Sequence, residues 1–190
     1  GGPANVNISL QVDHPGAKPG DTINLVLKMD HAPGWNSYWT NPGTGSPTTL
    51  NCQLPEGYKT GDTLWPIPKV KDSDFGTNHI FVDITHVITP LTIPANAQPG
   101  DVTISLKGDW LECNKQGCVP KGGDAAVTFA IGSESQADAA AEGEVKKVLD
   151  QQPTQLSSWQ VSIGGSGTTF AARLTPGEGA NQDPGDIYFF

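Results

Sequence analysis

Asn5-Val6-Asn7-Ile8-Ser9-Leu10-Gln11-Val12-Asp13 alternates without a break. Successive side chains of an extended chain point to opposite sides, so Val6, Ile8, Leu10 and Val12 share one face and Asn7, Ser9 and Gln11 the other. One apolar and one polar face describe a strand of an antiparallel sheet that is packed on one side. Lys18-Pro19-Gly20-Asp21 follows, and Ile23, Leu25, Leu27 and Met29 then alternate again. The intervening turn has a mechanism: proline presets φ at its second position and glycine accepts positive φ at its third.

The same phrase recurs. Gln98-Pro99-Gly100-Asp101 precedes Val102, Ile104 and Leu106, and Asp183-Pro184-Gly185-Asp186 precedes Ile187, Tyr188, Phe189 and Phe190. We read it as a common turn at the start of a strand rather than as an internal repeat. Further strands are expected over Thr48 to Leu54, Ile80 to Thr85, Val87 to Ile93 and Ala125 to Ile131. Short strands between Gly/Pro turns predict an all-β chain, an immunoglobulin-like β-sandwich over residues 1–132. Residues 134–152 are instead rich in Ala, Glu, Lys and Gln, with Val145, Val148 and Leu149 at helical spacing. This predicts a helix ending before Pro153, within a helical linker over 133–153. Trp159 to Ile163 and Thr169 to Leu174 alternate once more, as the opening hairpin of a second β-sandwich domain over 154–190. Its last strand has barely begun at Phe190, so this domain is expected to be truncated.

Composition agrees with the pattern. The chain has 23 glycines and 16 prolines among 190 residues, where the pair averages ~12 %. Charged residues make up 16 %, against ~25 % in an average protein. A net charge of -9 with 11 Lys and Arg argues against nucleic acid as a partner. No apolar run is long enough to span a membrane.

Three cysteines remain to be explained. Cys52 shares a strand face with Leu50 and Leu54, the place of a buried and unreactive thiol. Cys113 and Cys118 flank Asn114-Lys115-Gln116-Gly117. A four-residue hairpin loop places its flanking residues opposite each other, with Cα atoms roughly 4.5–5.5 Å apart, inside the range of about 4.4–6.8 Å that a disulfide needs. Spacing leaves three readings open: a redox pair, a hairpin staple in an exported protein, and a soft-metal ligand pair. A short loop gains little from closure, which favours redox chemistry slightly. A closed zinc site needs two more ligands, and His14, His31, His79 and His86 show no ligand spacing. His79 and His86 read as surface side chains near a strand.

Three motifs carry a resemblance. Gly34-Trp35-Asn36-Ser37-Tyr38-Trp39-Thr40-Asn41-Pro42-Gly43 resembles a W-H-x-Y-W-x-N-P-G signature, with Asn36 where many relatives have His. Trp65-Pro66-Ile67-Pro68-Lys69 resembles a following W-P-x-P segment. Trp110-Leu111-Glu112-Cys113 through Cys118-Val119-Pro120 resembles a W-L-x-C…C-x-P hairpin. In this order, over roughly residues 5–132, they are similar to the N-terminal periplasmic region of the DsbD/ScsB family of transmembrane thiol:disulfide interchange proteins. The ScsB branch of that family is linked to copper tolerance.

The resemblance implies an immunoglobulin-like redox domain, part of a protein-disulfide reductase and a soluble periplasmic fragment of an inner-membrane protein. Such a domain accepts two electrons from a membrane-embedded electron transporter, directly or through a thioredoxin-like domain. It passes them to periplasmic thioredoxin-fold proteins, with no cofactor and no metal. It further implies that Cys113 and Cys118 are the catalytic pair, Cys118 forming mixed disulfides with partners and Cys113 resolving them. Asp72-Ser73-Asp74-Phe75-Gly76 resembles the family's cap loop, with Asp74 and Phe75 as its cap residues and Phe75 as the ring that shields the disulfide. Lys115 and Lys121 are positive charges that favour a thiolate, and Glu112 opposes them. The competing functions are a non-catalytic β-sandwich binding module with a structural disulfide, and a Cu(I)-binding copper-tolerance domain.

Overall fold

The computed structural model describes residues 4–74, 76–153 and 158–180. In chain order the strands are β1 (Val6–Val12), β2 (Gly16–Ala17), β3 (Thr22–His31), β4 (Ser37–Tyr38), β5 (Thr49–Gln53), β6 (Lys59–Thr60), β7 (Lys69–Ser73), β8 (Gly76–Phe81), β9 (Ile84–Thr92), β10 (Gly100–Cys113) and β11 (Cys118–Ile131). Helix α1 (Ala139–Leu149) follows, then β12 (Trp159–Ser166) and β13 (Thr169–Pro176). The chain divides into two units, Gly1–Gln152 and Pro153–Phe190.

The first unit is the immunoglobulin-like β-sandwich. One sheet has the order β1-β3-β9-β6 and the other β2-β11-β10-β5. The period-2 pattern explains which residues meet between them. Leu10 and Val12 of β1, Leu25, Leu27 and Met29 of β3, and Val87 and Leu91 of β9 point inward, against Ile104, Leu106 and Trp110 of β10 and Phe129 and Ile131 of β11. Fully burying each such side chain stabilises the fold by about 1.5–3 kcal/mol. Trp110 fits because no side chain stands at Gly123, where a Cβ would lie 3.0 Å from its Cη2. Cys52 faces Leu106 across the β5–β10 ladder and packs half-buried against this core.

Val26 and Ile88 break the alternation and are fully buried on the opposite face of the first sheet. Val145 and Val148 of α1 cover them. The segment expected to act as a linker therefore has its apolar stripe seated on the sandwich. The helix is shorter than the expected span because Asp138 caps it, its side chain accepting the N–H groups of Ala140 and Ala141 at 2.9 and 3.1 Å. His86 on β9 pairs with Glu144 on α1 at 3.1 Å. The W-P-x-P segment closes the far end: Leu64 exchanges backbone bonds with Ile88, and the Trp65 carbonyl accepts the Gln152 amide at 2.9 Å.

Two strand expectations change in extent. Ile80 to Thr85 is not one strand, since β8 ends at Phe81 and β9 starts at Ile84. Asp83 turns the chain there at φ 57°. The strand expected from Ala125 begins at Cys118, so β10 and β11 each run 14 residues. A third sheet, β4-β8-β7, stands beside the tip of this hairpin.

In the second unit, β12 and β13 pair antiparallel from Trp159↔Pro176 to Ser166↔Thr169. The third Pro-Gly-Asp turn, at 183–186, lies outside the described residues.

Candidate functional site

Cys113 and Cys118 form a disulfide and are the last cross-strand pair of β10 and β11. The loop between them is closed by Asn114. Its N–H donates to the Gly117 carbonyl at 3.0 Å, and its side-chain Oδ1 accepts the N–H groups of Gln116 and Gly117 at 2.8 and 3.2 Å. This is the local bonding that makes Asn a turn residue. The Cα atoms are 4.1 Å apart, closer than the sequence implied. The reason lies on the other edge of β10. The Cys113 N–H donates to the Asn36 carbonyl and the Cys113 carbonyl accepts the Asn36 N–H, both at 2.9 Å. A residue's two backbone groups point to the same side of a strand. The Cys113–Cys118 pair is therefore the narrow kind, without hydrogen bonds of its own.

The two sulfurs are placed unequally. Cys113 is 3 % exposed, under Tyr38 and Ile80 with Val82 and Leu111 around them. Cys118 is exposed, and so are Lys115, Gln116 and Val119 beside it.

The Trp-rich motif is the strut that holds this arrangement. Asn36 pairs with Cys113, and Ser37 and Tyr38 pair with Phe81 and Ile80 of β8. The Trp39 ring meets the His79 ring edge-on, centroids 5.9 Å apart. The Asn41 carbonyl accepts the His79 Nδ1–H at 2.7 Å, and the Thr44 N–H and hydroxyl both donate to Asn78 Oδ1. The disulfide hairpin is thus connected through residues 36–44 to the hairpin of β7 and β8, next to the segment expected to form a cap. Asp74 is exposed there, directly after β7. Phe75, the proposed shielding ring, lies outside the described residues. Lys71 of β7 reaches back, its Nζ 3.5 Å from Asn36 Oδ1.

Two ionisable groups lie beneath the site. Glu112 is fully buried on the face opposite Cys113. Its carboxylate accepts the Val6 N–H at 2.9 Å, the Asn5 N–H and amide at 3.1 Å, and the Trp110 indole N–H at 3.4 Å. Burial pushes the carboxyl up, but these donors outweigh it and hold it below the usual range. His31 is buried between the Asp83 carbonyl and the Ser37 hydroxyl, 2.8 Å from each. Burial lowers its affinity for a proton. In the neutral ring Nδ1–H donates to Asp83, so Nε2 accepts from Ser37.

The sequence pointed to the cysteines and the cap segment. It did not reveal Asn36 as the backbone partner of Cys113, nor Lys71, nor the Tyr38 and Ile80 cover. Of these, only Asn36 and Tyr38 lie in the Trp-rich stretch that the motifs singled out, and nothing in their side chains marks the backbone pairing with Cys113 or the reach of Lys71. Of the two histidines expected at the surface, His86 is half-buried with its Nδ1 3.1 Å from Glu144 on the helix, and His79 is bound into the strut. Among the described residues no group of three or more His, Cys, Asp or Glu side chains is arranged to hold a metal ion, and no helix is long and apolar enough to cross a membrane.

The family model for the N-terminal domain of thiol:disulfide interchange protein DsbD matches residues 9–130. No curated protein matches the chain by sequence. Among solved structures, the N-terminal periplasmic domain of ScsB from Proteus mirabilis is similar at TM-score 0.60 and 15 % identity, over 88 % of this chain and 62 % of that one. The chain thus spans less than two thirds of that relative. The reduced DsbD N-terminal domain of Neisseria meningitidis is similar at TM-score 0.37 and 15 % identity, over 67 % of this chain and 89 % of that one. The complex of the DsbD and PilB N-terminal domains from the same organism gives 0.39 and 15 %, over 70 % and 88 %. With the matched segment spanning β-strands of both sheets and the Cys113–Cys118 hairpin, the chain belongs to the family of DsbD N-terminal domains, the thiol:disulfide interchange family.

Proposed function

We propose that this chain is a periplasmic exchange domain that takes two electrons from a membrane-embedded transporter, directly or through a thioredoxin-like domain. It hands them to disulfides of periplasmic thioredoxin-fold proteins. The observation that carries this reading is the inequality of the two sulfurs: Cys118 is exposed at the hairpin tip and Cys113 is 3 % exposed beneath Tyr38 and Ile80. Exchange needs in-line access to sulfur, and one accessible sulfur backed by one sheltered sulfur suits a two-step relay.

In the reduced domain the Cys118 thiolate attacks a partner disulfide. A Cys118–partner bond forms, and the partner's other sulfur leaves as a thiolate. Cys113 then attacks the Cys118 sulfur, remakes the Cys113–Cys118 bond and releases the second partner sulfur. The partner gains two electrons and the domain loses two, with protons exchanged with water. The β7–β8 hairpin, carrying Asp74 and Phe75, acts as the cap that limits approach to Cys118 until a partner docks.

Trapping tests the assignment. Cys113→Ala, reduced and incubated with periplasmic extract, is expected to accumulate disulfide-linked adducts through Cys118 that dithiothreitol releases. Cys118→Ala is expected to accumulate far fewer. Electron transfer at the wild-type rate by both single variants would remove the pair as the redox centre.

A further inference from the structure

Asn36, Cys113 and Cys118 form a row across three adjacent backbone segments. Asn36 and Cys113 exchange both backbone hydrogen bonds, and Cys118 stands opposite Cys113 on the other side. Directly paired residues put their side chains side by side on one face, with Cβ atoms about 5 Å apart. Both members of the first pair are buried, Asn36 at 4 % and Cys113 at 3 % exposure.

Lys71 orients the Asn36 amide. The Lys71 ammonium can only donate, so the atom 3.5 Å from its Nζ is the carbonyl oxygen Oδ1. The NH2 group is turned the other way. It is buried and, among the described residues, has no acceptor. A buried donor without an acceptor is costly, and native structures keep few of them. A disulfide sulfur is a poor acceptor, whereas a thiolate is a strong one.

We infer that the Asn36 amide is the hydrogen-bond donor for the Cys113 thiolate, held in place while the disulfide is closed and engaged when it opens. The inference rests on the exchange function proposed above, because it concerns the reduced state of that cycle. When a donor dithiol reduces the domain, its thiolate attacks Cys118 Sγ. A donor–Cys118 bond forms, the Cys113–Cys118 bond breaks, and the electron pair leaves on Cys113 Sγ as a thiolate. The donor's second thiol then displaces Cys118, leaving the donor oxidised by two electrons. Asn36 thus stabilises the leaving group of the first step, which speeds opening and favours the reduced form. The other charges around the row are Lys71 on β7, which adds to the effect, Lys115 in the hairpin loop, and Glu112, which is engaged on the opposite face by Val6 and Asn5. His31, beside Ser37, is held neutral.

The experiment compares wild type with Asn36→Leu, which keeps the volume and removes the donor. In equilibrium with glutathione, Asn36→Leu is expected to shift toward the disulfide form by about tenfold or more, the usual effect of losing a hydrogen bond to a charged group. Each tenfold makes the potential about 30 mV more negative. In a Cys118→Ala background the Cys113 thiol is expected to ionise at higher pH, followed by thiolate absorbance. Reduction of the disulfide by dithiothreitol should slow. The oxidised variant should melt no lower than wild type, since it has lost an unsatisfied donor; a merely structural role would lower it. If Asn36→Leu does not fold, Lys71→Met at its exposed site should shift the potential in the same direction, by less. An unchanged potential and an unchanged Cys113 titration overturn the inference. If wild type exchanges with no thioredoxin-fold disulfide while Asn36→Leu still shifts the potential, the proposed function falls and the Asn36 assignment stands.

Discussion

The Glu112 carboxylate accepts the Val6 backbone N–H at 2.9 Å, which fastens the start of β1 to the base of the disulfide hairpin. Glu112 and Cys113 are neighbours in sequence but lie on opposite faces of β10, so the acid faces the sandwich core and the cysteine faces the cover of Tyr38 and Ile80. Glu112→Ala leaves the buried Val6 N–H and the half-buried Asn5 N–H without their acceptor, and should cost about 1–3 kcal/mol at neutral pH. The pH dependence has a definite sign. The folded carboxyl is held below its ordinary value despite burial, so its stabilisation is present above the unfolded value of ~4.3 and is lost as pH falls through the folded one. Urea midpoints at neutral and acid pH test this: the acid-side loss should be smaller in Glu112→Gln than in wild type.

The unequal burial of the two sulfurs predicts unequal reactivity. With Cys113→Ala the exposed Cys118 should react quickly with an aromatic disulfide reagent. With Cys118→Ala the remaining Cys113, under Tyr38 and Ile80, should react at least about tenfold more slowly, because access limits exchange as much as thiolate content does. Stopped-flow labelling of the two variants under native conditions measures the ratio. Equal rates would mean that the Tyr38 and Ile80 cover opens freely.

The sandwich was legible because its inner faces keep strict period 2. Val6 to Val12 and Ile23 to Met29 display their buried faces directly, and the structure pairs them in register from Val6↔His31 to Val12↔Leu25. Val26 and Ile88 were not legible as a second buried face, since a single apolar residue between two inward ones carries no periodic signal. Their partners, Val145 and Val148, showed only as a helical stripe without a stated destination. In the site, the facing cysteines followed from loop length alone. Asn36, by contrast, reaches Cys113 through backbone bonds, which no side-chain pattern encodes. Lys71 meets Asn36 only because residues 36–44 bind β8 and β8 pairs with β7.

His31 sets a second pH limit. It is buried and accepts the Ser37 hydroxyl at 2.8 Å, and burial lowers its affinity for a proton. The unfolded chain binds that proton at about pH 6.5, the folded chain only at lower pH. Stability is therefore full above ~6.5, declines as pH falls below it and levels off at the folded value. His31→Gln, whose amide can both donate and accept, should flatten this part of the curve. Thermal melts of wild type and variant between neutral pH and the onset of carboxylate titration would show it. A slope unchanged in the variant would assign the decline to another group.

Gly43 decides how firmly the β7–β8 hairpin is held. Its φ of 75° is one that L side chains rarely adopt, and a Cβ there would overlap the Thr77 carbonyl oxygen on β8. The flanking residues are the ones that grip β8: the Asn41 carbonyl binds His79, and Thr44 binds Asn78. Gly43→Ala therefore strains the backbone and pushes the 41–44 segment away from β8 together. We expect a loss of more than about 1 kcal/mol, the usual result when alanine is forced to positive φ. The more informative measurement is the rate at which dithiothreitol reduces Cys113–Cys118. If the β7–β8 hairpin screens the disulfide, loosening its anchor should raise that rate several-fold while Cys118 itself is untouched. If the protein is destabilised but the reduction rate is unchanged, the hairpin is a structural brace for β8 and the screening must come from Tyr38 and Ile80 alone.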